Sequence, residues 1–454
     1  MLEKVNNSTY INLFKTSLYS FIVLLGISCK SDDDTPIENP FLGEIDYISA
    51  LGGSNNESAQ SVINTQDGGY AILGYTQSMD FDVTDKLNES FDYWVLRFDA
   101  NNQLQWSKTY GGTGDDRGNS IVQTSDGGFA ILGQSTSSDE DVTENNGAND
   151  YWLAKLDASG NLIWEKSFGF LGADIGLSLI ETNDNGYFLT GILDVTASDG
   201  EGNTRYSNAR HAGGDYWAIK LDVSGNLQWS KYYGGSFTDA PYDVIQTSDN
   251  GYIIVGSSDS NDVDITNNKG TYDFWVLKIS ESGTIIWEKS YGGSEIDEAW
   301  SIAESNDGNF VIVGDTRSSD QDVSNLNGAA DLWVIKITPT GDLIWEKTIG
   351  GTSFDVGRSV NKTQDNGFLI SGSSRSADGD LNSNNGQNDA LVLKIDSNAN
   401  LEWLETIGGA NIDFAYDVVE LNNKTVVAVG ESSSNDGDLD ENKGFTDLLI
   451  VKIK

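Results

Sequence analysis

A tryptophan returns at an almost fixed interval along this 454-residue chain: Trp106, Trp164, Trp229, Trp287, Trp345 and Trp403 stand 58, 65, 58, 58 and 58 residues apart. Each lies in a near-copy of one stretch, best seen from Asp150 to Gly169. A period of this length constrains the fold more than any single motif does, because each unit must bury its apolar face against the next. Length alone would suggest several independent domains; the repeat predicts one closed body instead.

Each copy holds four short runs of strand-forming residues with turn residues between them, and no stretch sustains a helical period, so the class is all-β. In the second copy the strands read as residues 120–124, 129–132 (ended by Gly133), 151–156 and 162–168. The first hairpin turn recurs as Asp67-Gly-Gly, Asp126-Gly-Gly, Asp184-Asn-Gly, Asp249-Asn-Gly, Asp307-Gly-Asn and Asp365-Asn-Gly, where Asn and Gly supply the positive φ of a tight turn. The seventh copy departs, with Asn422-Asn-Lys. The third strand is apolar on both faces and opens with an aspartate in all seven copies: Asp92, Asp150, Asp215, Asp273, Asp331, Asp389 and Asp447. Five residues further on, every copy carries a base: Arg97, Lys155, Lys220, Lys278, Lys336, Lys394 and Lys452. A basic ring for an anion would use residues this way; paired, partly buried cations that fix neighbouring sheets would as well, and strand interiors favour the pairing. Trp94, Trp152, Trp217, Trp275 and Trp333 fill a second repeat slot and read as packing residues.

The last copy stops after its third strand, while residues 43–53 align with the missing fourth, Tyr47 standing in the tryptophan slot. Such an exchange makes sense only if the first and last sheets are neighbours. The expectation is a seven-bladed β-propeller of four antiparallel strands per blade, its ring closed by the N-terminal strand, over residues 43–454.

On one face of such a ring, two acidic loops of each blade emerge together. One carries Gly-Gly-x-x-x-acid, giving Glu57, Asp116, Asp174, Asp239, Asp297, Asp355 and Asp413, expected as a ring of carboxylates around the channel mouth. The other carries Asp-x-Asp: Asp80 and Asp82, Asp139 and Asp141, Asp262 and Asp264, Asp320 and Asp322, Asp378 and Asp380, Asp436 and Asp438. Alternating oxygen ligands suit Ca2+, although the glycine of an EF-hand loop is absent; Asx turns that cap a chain reversal are the alternative.

A ring of equal blades gains a specific site through its unequal positions. The slot near the entrance of the first strand reads Gln60, Asn119, Leu177, Tyr242, Trp300, Arg358 and Tyr416, and the third copy's seven extra residues bring Arg205, Tyr206, Arg210 and the sole histidine, His211, to the same face. Aromatics offer a flat face to a sugar ring or a protein anchor, and arginines offer forked donors. Tyr242, Trp300, Arg358, Tyr416, Arg205, Arg210 and His211 are thus the candidate ligand residues, with inter-blade packing as the bland alternative. With one histidine and one cysteine in the chain, catalysis would rest on carboxylates, and nearly every carboxylate is repeated; a glycan-active hydrolase or lyase is the alternative to a non-catalytic binding module. The 27 Lys plus Arg against 70 Asp plus Glu argue against nucleic acid as a partner.

The first residues read as a targeting signal. Lys4 and Lys15 precede an apolar run over 18–25, too short for an ordinary membrane span, and Leu25-Gly-Ile-Ser-Cys29 follows. The latter resembles a bacterial lipobox, which implies removal of residues 1–28 and an acylated Cys29. Lys30-Ser31-Asp32-Asp33-Asp34 is similar to the acidic export signal of surface-exposed lipoproteins of the Bacteroidota, and residues 29–42 read as a polar tether. The body resembles the propeller repeats of roughly sixty residues found in surface proteins of that group. The resemblance implies a lipoprotein displayed on the cell outer membrane, binding an extracellular glycan or protein.

Overall fold

The computed structural model describes residues 43–202 and 211–454; Cys29, the acidic tripeptide Asp32 to Asp34 with Ser31, and Arg205, Tyr206 and Arg210 lie outside the described residues. Seven antiparallel four-stranded sheets form a closed ring, a seven-bladed β-propeller. Blade five is typical, with strands Asp297–Glu304, Phe310–Thr316, Asp331–Ile337 and Leu343–Ile349. Blade seven is built from Asp413–Glu420, Val426–Ser432 and Asp447–Ile453, and its fourth strand is the N-terminal Ile45–Leu51, which runs antiparallel to the third. Tyr47 sits opposite Lys452 as Trp403 sits opposite Lys394 in blade six, so the register foreseen for the closing strand holds. Among the described residues no helix is long and apolar enough to cross a membrane.

First strands touch the first strands of both neighbouring blades and so surround the axis. Third strands are buried along their whole length, which explains their apolar residues on both faces. The core lies between blades: Ile253, Val255 and Val276 of blade four pack with Ile302, Ile312, Trp333 and Ile335 of blade five. Each such large side chain contributes roughly 1.5–3 kcal/mol, repeated at every junction. Trp94, Trp152, Trp275 and Trp333 are wholly buried in these layers. The other tryptophan slot works at the perimeter. Trp106 donates to Ala158 O of the next blade at 3.3 Å, and Trp287 to Pro339 O at 3.1 Å, each covering the turn before the neighbour's fourth strand.

Two strand boundaries differ from the sequence reading. The first strand of blade two begins at Asp116, four residues before the run at 120, because a β-bulge at Asn119 breaks its alternation. The second strand continues through Gly133 to Ser135. That glycine faces the bulge, and a Cβ on it would lie 2.0 Å from Arg117 O, so it marks a close backbone approach and not a strand end. The bulge recurs in all seven first strands.

The seven strand-borne bases divide six to one. Arg97, Lys155, Lys220, Lys278, Lys336 and Lys394 each pair with the aspartate of their own hairpin turn, Asp67, Asp126, Asp184, Asp249, Asp307 and Asp365 respectively. The cations fasten turns and are not presented to an anion. Lys452 faces the turn that lacks an aspartate; burial pulls its pKa down, and its ammonium lies 6.0 Å from the Tyr70 ring centre.

Candidate binding face

The two acidic loops meet at one end of the ring, and there they hold each other. The first aspartate of Asp-x-Asp accepts the N–H of the residue after Gly-Gly: Ser54 to Asp80, Thr113 to Asp139, Ser236 to Asp262, Ser294 to Asp320, Thr352 to Asp378 and Ala410 to Asp436, at 2.7–2.9 Å. The second accepts the N–H of the first glycine: Gly52 to Asp82, Gly111 to Asp141, Gly234 to Asp264, Gly292 to Asp322, Gly350 to Asp380 and Gly408 to Asp438, at 3.0–3.4 Å. The residue between them takes a left-handed φ, as at Phe81, Glu140, Val263 and Gln321. The spacing is thus used to cap a chain reversal from both sides. Among the described residues no three or more His, Cys, Asp or Glu side chains gather as metal ligands.

The acids after Gly-Gly do not form an open ring at the channel mouth. Glu57, Asp116, Asp174, Asp239, Asp297, Asp355 and Asp413 are all 0% exposed. Asp355 shows the reason: it accepts Gly351 N–H at 2.8 Å and the hydroxyls of Ser374 and Ser376 at 2.5 and 2.7 Å, tying the loop before the first strand to the end of the second.

His211 belongs to the same framework. It stands four residues before Asp215, in the slot of Lys269 and Lys443, whose backbone N–H groups bond the corresponding aspartates. Its imidazole Nδ1 meets the Asp215 carboxylate, its ring packs edge-on against Tyr232, and its side chain is only 2% exposed. The structure therefore does not bring His211 to the channel with the other candidates.

The unequal first-strand slot is the bulge itself. Gln60, Asn119, Leu177, Tyr242, Trp300, Arg358 and Tyr416 are the extra residues of their strands, and a bulge re-aims the side chain it carries. From blade four to blade six they form a stacked row around the axis. The rings of Tyr242 and Trp300 lie 4.0 Å apart, and the Arg358 guanidinium carbon lies 3.6 Å from the Trp300 ring centre. The Trp300 indole N–H donates to Asp315 at 3.0 Å, and burial pushes that carboxyl up to about 6. In blade seven Tyr416 stacks against Phe414 at 5.6 Å and donates its hydroxyl to Glu431 at 3.1 Å. Tyr242, Trp300, Arg358 and Tyr416 all remain partly exposed.

One step further along each first strand, serine fills five slots, and Asp243 and Asp417 fill the other two. Asp243 accepts the Ser178 and Ser301 hydroxyls and the Val244 and Ile302 N–H groups; Asp417 accepts Ser359, Val62 and Val418. These acids stitch first strands across the ring. Sequence reading missed them, although a slot-by-slot alignment would have exposed them as the exceptions to serine. It also missed Arg375, at the end of a second strand, which lines a cavity of about 280 Å3 with Arg358, Phe354, Asn388 and Phe414.

No family model matches the chain. A stretch of 231 residues is 24% identical to the regulatory protein FlaEY of Caulobacter vibrioides, covering 48% of this chain and only 23% of that protein. Among solved structures, Sqt1 from Chaetomium thermophilum aligns over 85% of this chain and 83% of its own at 12% identity and a TM-score of 0.43. A gluconolactonase from Xanthomonas campestris aligns over 91% of both chains at 9% identity and a TM-score of 0.37. Neither reaction nor ligand follows from likeness at these levels; the strand pairing alone establishes the architecture, a seven-bladed β-propeller scaffold with an aromatic and basic row on one side of its channel.

Proposed function

We propose that this propeller is a non-catalytic binding module, tethered through an acylated Cys29 to the cell outer membrane, whose ligand is an extracellular glycan or protein met at the channel face of blades four to seven. The observation that carries the reading is the contiguity of Tyr242, Trp300 and Arg358: three residues that break the repeat stand together, partly exposed, while equivalent slots elsewhere hold Gln60, Asn119 and Leu177. Aromatic faces and a guanidinium edge suit a sugar ring or a protein anchor. The membrane attachment rests on the lipobox-like Leu25 to Cys29 and the following Ser31-Asp-Asp-Asp34. The strongly negative charge disfavours nucleic acid.

The hydrolase or lyase alternative has Asp243 and Asp417 as its unequal acids. Each already accepts three or more donors, which suits a structural stitch better than proton transfer. The deciding experiment compares wild type with Trp300→Ala on a glycan array and in a pull-down from outer-membrane extracts, with the loop over 197–213 shortened in a third protein. Loss of ligand in Trp300→Ala with an unchanged melting temperature supports the reading. Full retention in both folded variants refutes this placement, and turnover abolished by Asp243→Asn would replace the module with an enzyme.

A further inference from the structure

From the cavity beside the aromatic row we infer that the ligand carries a single acidic group: blades six and seven together form a subsite for a sugar ring bearing one carboxylate, gripped by Arg358 and Arg375. This rests on the binding-module reading and narrows its ligand.

Arg358 and Arg375 differ from the bases carried by the third strands. Six of the seven strand-borne cations are neutralised by turn aspartates, and Arg117 lies 3.8 Å from Asp115. Arg358 and Arg375 form no ion pair with any described carboxylate. Each is held by a ring instead, Arg358 over Trp300 at 3.6 Å and Arg375 over Phe354 at 5.6 Å. The Arg358 guanidinium makes no hydrogen bond to a described protein atom. Arg375 uses only its Nε, donating to Asn388 Oδ1 at 2.5 Å, and Asn388 is itself buried. A guanidinium has five N–H donors, so most of the donors lining this cavity have no acceptor in the protein. Two fixed forks with unused donors match a carboxylate.

Comparison with blade five shows that the acids have been removed locally. There Arg317 occupies the Arg375 slot, and the charges of Glu298, Arg358 and Arg317 all act on Asp315. In blade six the slot of Glu298 holds Val356 and that of Asp315 holds Ser373, both lining the cavity. The arginine is kept and its two acids are gone. Asp315 is within reach of the Arg358 charge, but in a chain with 70 acidic residues no carboxylate lines this cavity itself. Phe354, 38% exposed, and Phe414 add apolar faces, and about 280 Å3 has room for roughly one sugar ring. The negative field of the whole body repels polyanions, so the group recognised is one carboxylate on an otherwise neutral glycan.

The test titrates the full chain, by calorimetry, with a short oligosaccharide ending in one glucuronate and with its counterpart ending in glucose. The acidic glycan is expected to bind at least tenfold more tightly. Arg375→Gln and Arg358→Gln should each abolish that preference without lowering the melting temperature by more than a few degrees, and Arg375→Lys should restore it only in part, since an ammonium lacks the fork. Equal affinity for both glycans, weakened in both by Trp300→Ala, would overturn this inference and leave the binding module standing. Preference for glucuronate that survives both glutamine variants would place the acid elsewhere and overturn the subsite. Failure of both glycans, with an acidic peptide bound through Arg375, would overturn the ligand class.

Discussion

Asp273 and Asp297 face each other across Gly292: a Cβ on that glycine would lie 2.5 Å from Asp273 Oδ1 and 2.5 Å from Asp297 Oδ2. Asp273 opens the third strand of blade four and Asp297 the first strand of blade five, so the two carboxylates span a blade junction. Asp297 is fully used, by Gly293 N–H, the Thr316 hydroxyl and the Ser318 hydroxyl, whereas Asp273 Oδ1 is buried and accepts nothing. An oxygen beside an acceptor, with no donor of its own, is the mark of a protonated carboxyl. Burial first, and the Asp297 charge after the Lys269 N–H bond that opposes it, push Asp273 up to about 7. The same pairing recurs at Asp331 with Asp355 across Gly350 and at Asp389 with Asp413 across Gly408, where Asp331 and Asp389 again leave Oδ1 unpartnered.

Stability should therefore fall as pH rises through neutrality. A carboxyl whose pKa is higher folded than unfolded contributes fully below the unfolded value near 4, and loses that contribution as pH passes the folded value. For Asp389 and Asp273 the folded values are about 6 and about 7, with burial the first cause in each, and for Asp239 burial gives about 8. The turn aspartates oppose this at low pH. Asp249, held down to about 2 by Lys278 and Thr247, stabilises above the unfolded value and loses its contribution as pH drops below 4. The melting temperature should peak at about pH 4 and decline until about pH 8, where the last of these carboxyls is ionised; a flat profile from 5 to 8 would refute shared protons.

Asp273→Asn isolates one junction. Its amide N–H can donate where the carboxyl proton did, so the variant should match wild type near pH 5 and exceed it at pH 9 by on the order of 1–2 kcal/mol. Denaturant unfolding at the two pH values measures the difference. Equal loss at both would mean the oxygen, not the proton, matters.

Lys452 supplies a gain-of-stability test. Asn423 occupies the position held by Asp365 in blade six, since its side chain caps the Thr425 N–H as Asp365 caps that of Gly367. Asn423→Asp should complete the seventh ion pair. The six existing partners are more than half exposed, so the gain should be modest, about 0.5–1 kcal/mol at pH 7, and it should fade in 1 M salt. Thermal unfolding at low and high salt reads both effects.

How far the sequence disclosed this molecule depends on whether a residue acts within its repeat or across blades. Blade number, strand count and the closing role of residues 45–51 all follow from period and register, which the Trp and Asp slots display directly. The first-strand starts did not, because the bulge at Trp300 and its equivalents interrupts alternation, and Gly314 opposite it mimics a strand terminator. Tyr242, Trp300 and Arg358 were legible as exceptions, but their stacking was not, since contact between residues 58 apart needs the ring closed. Burial was the least legible property: Asp297 and Asp320 look alike in an acidic loop, yet one is sealed in the junction and the other caps a turn at the surface.

The loop clamp makes a prediction about calcium. Asp262 accepts both the Ser236 N–H at 2.9 Å and its hydroxyl at 2.8 Å, so Asp262→Ala should cost about 1 kcal/mol by leaving those donors to water. With these oxygens already engaged, millimolar Ca2+ should leave the wild-type melting temperature unchanged. A rise reversed by chelator and absent in Asp262→Ala would show that their remaining lone pairs recruit the ion after all.

Closure of the ring sets the largest expected effect. The strand Ile45–Leu51 pairs with Asp447–Ile453, and Ile45, Ile48 and Ala50 pack with Trp403, Ile407 and Ile453. Deleting residues 43–51 removes these contacts and leaves Asp447–Ile453 with an unpaired edge. It also uncovers the Trp403 ring, against which Gly43 packs so closely that a Cβ on it would lie 2.8 Å from the ring. Burial of two partly buried isoleucines and one alanine is worth roughly 2–4 kcal/mol, so the deletion should lower the melting temperature by several degrees. The exposed edge should in addition drive association, visible by light scattering, because a free strand in a ring is a template for another chain. A deletion variant that stays monomeric and melts with wild type would mean that the seventh blade is stable with three strands, and that closure contributes little to the ring.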